Sequence, residues 1–343
     1  MVVAAVAESL VKILGQVVEG VWRARRPADP RPVGTLADLL TEAVYAQWRQ
    51  EAAERLLLAP EPIPVGWSLS ELTVGGPVEA AVGSVDGAPA FPPLPGQSRV
   101  TEEQLRAGGT RRELFTVYAG IASGRMVVVG APGSGKTGSA VLLVLDALEH
   151  RSGVEDAKRA RVPVPVLVTS YGWDPVTCSV QEWLAGHLVA SYSMFAHRGG
   201  AAEAAALVAA GNVALVLDGL DEMDLARRPA ALRALSCAPF RVVVLTRSSE
   251  MVQAAGTAWL VGAVAVQLHP VTGSQAADYL QRARTRPSPS GWTQLLSHLR
   301  DNPDSALTRG VCTPLNLTLI RDTYRPDEDV SSLLTTSWSS ADG

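Results

Sequence analysis

Lysine is nearly missing from this chain of 343 residues: Lys12, Lys136 and Lys158 stand against 27 arginines. A GC-rich coding sequence accounts for that bias. Cysteine is scarce too. Cys178, Cys237 and Cys312 lie far apart, no C-x-x-C occurs, and five scattered histidines give no zinc spacing. A disulfide scaffold and a zinc module are excluded, and reduced thiols in a cytoplasmic protein are expected. A basic excess is lacking, since the net charge is −4. No direct binding of nucleic acid is therefore expected. An uninterrupted membrane-length apolar run is lacking as well. Val2–Trp22 comes nearest, but Glu8, Lys12 and Glu19 interrupt it. Those three, with Ser9 and Gln16, share one side at helical spacing, which predicts an amphipathic helix packing on protein. Attachment to a membrane surface is the lesser alternative. No basic stretch precedes the apolar run, so a signal peptide is not expected. What is present is 47% hydrophobic and 19% charged residues, the balance of a folded globular chain.

Residues 1–58 read as a helical N-terminal segment. After a Pro/Arg break at Arg25–Pro32, the residues Leu36, Leu39, Leu40, Ala43, Val44, Gln47 and Trp48 follow a 3-4 spacing, predicting a helix to about Leu58. Residues 59–99 are rich in proline and glycine, with FPPLPG near the end. They read as a linker crossing the surface, with short extended pieces around Val65–Leu72 packing on the next domain. From 100 to 270 strands and helices alternate. Strands are predicted at Met126–Val129, Val162–Thr169, Val213–Leu217, Val242–Thr246 and Ala263–Leu268. Helices are predicted at Arg111–Ile121, Lys136–His150, Ser179–Phe195, Ala201–Ala210 and Arg228–Leu235. The fold class expected is α/β, with a mostly parallel sheet covered on both faces. Pro163 and Pro165 push their strand toward a sheet edge. Residues 271–325 read as short helices, Gly273–Ala283, Trp292–Asp301 and Pro314–Tyr324, forming a small helical domain. Residues 326–343 read as a disordered tail.

Three motifs carry chemistry. Residues 130–137 read GAPGSGKT between a strand and a helix. This fits G-x-x-x-x-G-K-[ST], a loop whose backbone N–H groups cradle phosphates. Gly130, Ala131, Pro132, Gly133, Ser134 and Gly135 form the cradle. Lys136 meets the β- and γ-phosphates, where a compact ammonium suits better than a guanidinium fork. Thr137 offers its hydroxyl to Mg²⁺. Residues 215–222 read LVLDGLDE. Asp218 ends a buried strand, where a carboxylate can hold Mg²⁺. Asp221 is a second candidate for the metal or for positioning, and Glu222 can orient or deprotonate an attacking water. Taken alone, this stretch also fits a solvated acidic turn. Residues 242–249 read VVVLTRSS and bring Arg247 to the same sheet edge, where it can sense a γ-phosphate; a surface arginine after a strand is the alternative.

This spelling resembles the NACHT NTPases, which belong to the STAND signal-transduction ATPases related to animal NLR sensors. GWDP at 172–175 and AQWRQEA at 46–52 are similar to actinobacterial NACHT proteins, and TPLNLTLI at 313–320 to the motif of their helical domain. The resemblance spans roughly 100–325. It implies a P-loop NTPase core with ATP or ADP and Mg²⁺ as ligands. Lys136 and Thr137 match the phosphate and metal residues, Asp218 the metal aspartate, and Asp221 and Glu222 the downstream acids. Arg247 matches the first sensor and Pro314 the proline that abuts adenine. Arg111–Glu113 only loosely echoes the family's G-R-E element. The family continues into a winged-helix domain and a sensor region. The sequence ends at Gly343 before either, so a truncated or minimal form is expected. The role implied is a nucleotide-controlled signalling switch with slow ATP hydrolysis, acting in bacterial defence. A homo-oligomer or a signalling partner would dock through the N-terminal helices. The competing readings are a scaffold that binds nucleotide without turnover and, behind it, a GTPase or P-loop kinase. No N-K-x-D base-reading motif is present.

Overall fold

The computed structural model describes residues 31–59, 61–72, 74–83, 90–248, 251, 258–283, 289–325 and 327–335. The Val2–Trp22 helix expectation lies outside them. Six strands form one sheet: β1 (Trp67–Leu69), β2 (Arg125–Val129), β3 (Val164–Thr169), β4 (Val213–Asp218), β5 (Val242–Thr246) and β6 (Val264–Leu268). The order is β1-β6-β2-β5-β4-β3, with every pair parallel except β1 with β6. The interior runs RMVVV, VALVLD, VVVLT and VAVQL are almost wholly buried. They do not alternate because helices cover both faces. Strand β3 is an edge, and Pro165 sits there opposite Ala214, where one side needs no ladder bond.

Helix α1 (Val33–Glu54) buries Leu36, Leu40 and Val44, the 3-4 stripe of the sequence. Further along come α2 (Val78–Val82), α3 (Glu102–Ala107) and α4 (Arg111–Gly120). Helix α5 (Lys136–Gly153) is buried on most sides because α1 covers the face turned from the sheet. Arg151 of α5 joins the two, donating to Thr41 Oγ1 at 2.8 Å and Asp38 Oδ1 at 2.5 Å. Next are α6 (Asp156–Arg159), α7 (Val180–Ser191), α8 (Gly200–Ala209) and α9 (Arg228–Ser236). A second hydrophobic core, from Val271 to Val330, belongs to α10 (Gly273–Arg282), α11 (Ser290–Asp301), α12 (Ala306–Val311), α13 (Pro314–Thr323) and α14 (Ser331–Thr335). No helix of the described residues is long and apolar enough to cross a membrane.

Several expectations shift. The stretch 59–99 does more than cross the surface: it supplies β1, which pairs antiparallel with β6, and it buries Val74 and Leu94. A three-residue strand has no periodicity to read, and its partner lies about two hundred residues on. Helix α1 stops at Glu54 instead of Leu58, because Leu56 turns the backbone to φ 51. The helix expected over Ser179–Phe195 ends at Ser191, before a 3₁₀ turn at Ser193–Phe195. Part of the expected tail is packed, since Val330 is fully buried and Trp292 Nε1 donates to Glu328 O at 2.9 Å.

Candidate functional site

The glycine-rich loop joins β2 to α5 at the carboxyl edge of the sheet. Gly133 has φ 74, and Gly135 sits at φ 87, ψ 20 as the residue before α5. Both values are left-handed and favour glycine. The Lys136 ammonium folds back and donates to Gly130 O at 2.8 Å and Ala131 O at 3.1 Å. Gly130 makes room for Ser134, whose Oγ would lie 2.4 Å from any Cβ at residue 130. That Oγ is buried and has no hydrogen-bond partner among the described residues. Ala131 and Pro132 are exposed at the crest. An orphaned hydroxyl, a folded-back ammonium and the N-terminus of an 18-residue helix thus converge on one loop. All three are suited to an anionic ligand.

Thr137, the second residue of α5, donates through Oγ1 to Asp218 Oδ2 at 2.7 Å. Asp218 ends β4, and Gly219 (φ 76) begins a 3₁₀ turn over Leu220–Glu222. Two side chains set this turn. Ser170 Oγ donates to Gly219 O at 2.7 Å. Buried Arg228 donates from Nη2 to Asp221 O at 2.7 Å and from Nε to Met223 O at 3.0 Å. The Glu222 carboxyl group is exposed and folds over Gly219. Asp221 is mostly buried and pairs with Arg247, Nε to Oδ2 at 2.9 Å. Arg247 comes directly after β5, whose Thr246 lies level with Val129 of β2. The Thr246 hydroxyl is buried without a partner among the described residues.

Helix α13 closes over the loop. Leu315 N donates to Gly133 O at 3.2 Å. A Cβ on Gly135 would meet Pro314 Cγ and Cβ at 3.1 and 3.2 Å. Between α13, residues 133–139 and the end of α1 lies a cavity of about 460 Å³. That is the size range of small-molecule sites. The structure brings Gly133–Thr137 and Pro314 to this cavity and Asp218 into contact with Thr137, while Asp221, Glu222 and Arg247 follow β4 and β5 at the same sheet edge and are not among the residues lining the cavity.

Sequence reading missed Leu56, Leu57, Ile63, Val65, Tyr279 and Arg321, which line the same cavity. One signal was available: Arg321 lies seven residues after Pro314, on the same helical face. Two of the family-like stretches take structural roles. Arg111 bonds Asp146 of α5, with Nε to Oδ2 at 2.7 Å. Glu113 caps its own helix by accepting from Thr110, which holds its carboxyl below the usual range. In GWDP, Trp173 stacks on Trp183 with centroids 5.0 Å apart, and Asp174 accepts from Val176 N at 3.1 Å.

No group of three or more His, Cys, Asp or Glu side chains able to hold a metal occurs among the described residues. A magnesium ion bound with a nucleotide needs fewer, because phosphate and water complete its shell. Thr137 and Asp218 suit that donor set. No protein-family model matches the chain, and no curated protein matches it.

Proposed function

We propose that the chain is a P-loop protein that binds ATP with Mg²⁺, hydrolyses it slowly and serves as a nucleotide-controlled switch of the NACHT type. The observation that carries this is the 2.7 Å contact between Thr137 and Asp218. It joins two motifs read separately in the sequence, 81 residues apart, at the open end of a parallel sheet. Loop amides and Lys136 bind the phosphates. Thr137 and Asp218 would hold the metal, which when bound neutralises phosphate charge. Glu222 accepts the proton of the attacking water, and Arg228 orients its turn by two carbonyl contacts. Pro314 and the apolar cavity wall take the base, and its identity as adenine rests on the NACHT resemblance. The signalling and defence role rests on the NACHT resemblance.

A binding-only scaffold is the second reading. It is favoured by the Asp221–Arg247 pair, which already engages the arginine expected to meet the γ-phosphate. Lys136→Ala tests the phosphate loop that both readings share, and Glu222→Gln separates them. Lys136→Ala is expected to weaken ATP binding roughly ten- to a hundredfold, the worth of a charge-assisted hydrogen bond. Unchanged affinity in a folded Lys136→Ala protein would reject the phosphate loop. Glu222→Gln is expected to bind ATP normally and lose hydrolysis by about 10²–10⁴-fold. Wild type no faster than that variant leaves only the scaffold. Competition between ATP and GTP reports the base, and a preference for GTP sinks the adenine assignment.

A further inference from the structure

The last turn of α1 ends in an unusual way. Leu57 N donates to Ala52 O at 2.8 Å and Leu56 N to Ala53 O at 3.0 Å, the nested bonds of a Schellman ending. Glycine normally occupies the left-handed position of such an ending. Here Leu56 does, at φ 51, alone among the described non-glycine residues in having positive φ. A side chain is retained where glycine would be unstrained, and that side chain lines the 460 Å³ cavity.

The same turn is held from the other side by the lid. Arg321 of α13 is 9% exposed. It donates from Nη1 to Leu56 O at 3.2 Å and to Tyr279 Oη at 2.7 Å, and from Nη2 to Arg55 O at 3.5 Å. Its Nε donates to Asp322 Oδ1 at 2.7 Å. The guanidinium thus caps the carbonyl end of α1, where a cation is favoured. At its other end α1 is tied to the sheet-covering layer, because Arg31 grips Glu203 of α8 with Nη2 to Oε2 at 2.6 Å.

We propose that the end of α1 is a wall of the nucleotide site, and that Arg321 is the positioning residue that couples occupancy of the cavity to α1. This rests on the nucleotide reading above. A ligand that fills the cavity between residues 133–139 and α13 meets Leu56 and Leu57, which line it. Movement of α13 away from the glycine loop withdraws Arg321 from both carbonyls and leaves the strained turn uncapped. Lid position and the last turn of α1 are therefore one two-state element, and whatever fills the cavity biases it.

The test is hydrogen–deuterium exchange of the full chain with and without Mg·ATP. In wild type, nucleotide is expected to slow exchange at 130–137 and at 54–58. In Arg321→Ala the loop remains protected, residues 54–58 no longer respond, and ATP affinity falls by about fivefold or more. Arg321→Lys, which keeps the charge but reaches fewer acceptors, restores part of the response. Equal responses of 54–58 in wild type and Arg321→Ala overturn the coupling, as does a wild type in which the loop responds and 54–58 do not. A wild-type loop that does not respond overturns the nucleotide reading itself, and this inference with it. Should Arg321→Ala fail to fold, Arg321→Met keeps the apolar stem and removes every guanidinium donor to Leu56 O and Arg55 O. A diminished response at 54–58 then supports the coupling, and an undiminished one overturns it.

Discussion

Two glycines three residues apart in the loop-to-helix transition respond oppositely to a single added methyl. Gly135 has φ 87, and its Cβ would stand 3.1 and 3.2 Å from Pro314 Cγ and Cβ. Gly135→Ala incurs the left-handed backbone penalty, about 1–2 kcal/mol. The tight contact adds to it by pushing α13 off the loop, since a packed ring cannot fold away as a long side chain could. Gly138 lies within α5, and its Cβ would find only Leu57 Cδ2 at an ordinary 3.7 Å. Gly138→Ala gains helix propensity, up to about 1 kcal/mol. The two variants should therefore differ by about 2–3 kcal/mol in stability. Thermal unfolding of the nucleotide-free proteins measures this. Gly135→Ala should melt a few degrees below wild type and Gly138→Ala slightly above it, at roughly 2–4 °C per kcal/mol. Gly135→Ala should also weaken ATP binding, because the same backbone aims the loop amides. A Gly135→Ala protein as stable as wild type, or two variants shifted in the same direction, would refute the loop geometry and its contact with Pro314.

Tyr118 is buried, its hydroxyl finds no partner among the described residues, and burial pushes the phenol up to about 12. Tyr118→Phe should raise stability by about 1 kcal/mol or more by removing an unpaired polar group; urea unfolding midpoints check it, and a loss of stability points to an unseen partner. Glu203 is held down to about 2, chiefly by its hydrogen bonds from Arg31. Its folded pKa lies below its ordinary 4.5, so the stabilisation is complete above pH about 4.5 and is lost as pH falls toward about 2. Glu203→Gln should flatten stability against pH across that window, and an unchanged acid limb argues that the Arg31 contact contributes nothing to folding.

What the chain spells locally is readable without coordinates. The five parallel strands are legible within one or two residues because each is a buried apolar run closed by glycine or polar residues. GAPGSGKT announces a turn into a helix and LVLDGLDE a strand into a turn, each with candidate site side chains within eight residues. A parallel strand delivers its last residues to one edge, so the convergence of Thr137, Asp218 and Arg247 is a consequence of topology alone. Helix α12 escapes notice because it is only six residues long. The extended piece at Val65–Leu72 is legible, but its antiparallel pairing with β6 as β1 is not, because that partner is remote in sequence. The ion pair of Asp221 and the backbone conformation of Leu56 are beyond sequence altogether. No local signal pairs Asp221 with Arg247, which the structure places 2.9 Å away. Leu56 is one more leucine in LLLAP until its φ of 51 and the Arg321 contact are seen. The sequence by itself therefore determined the strands, the glycine loop and the acids, whose signals are short-range and periodic. Only the tertiary structure decided that Arg321 and the end of α1 share the cavity with that loop, because a contact spanning 265 residues leaves no local trace.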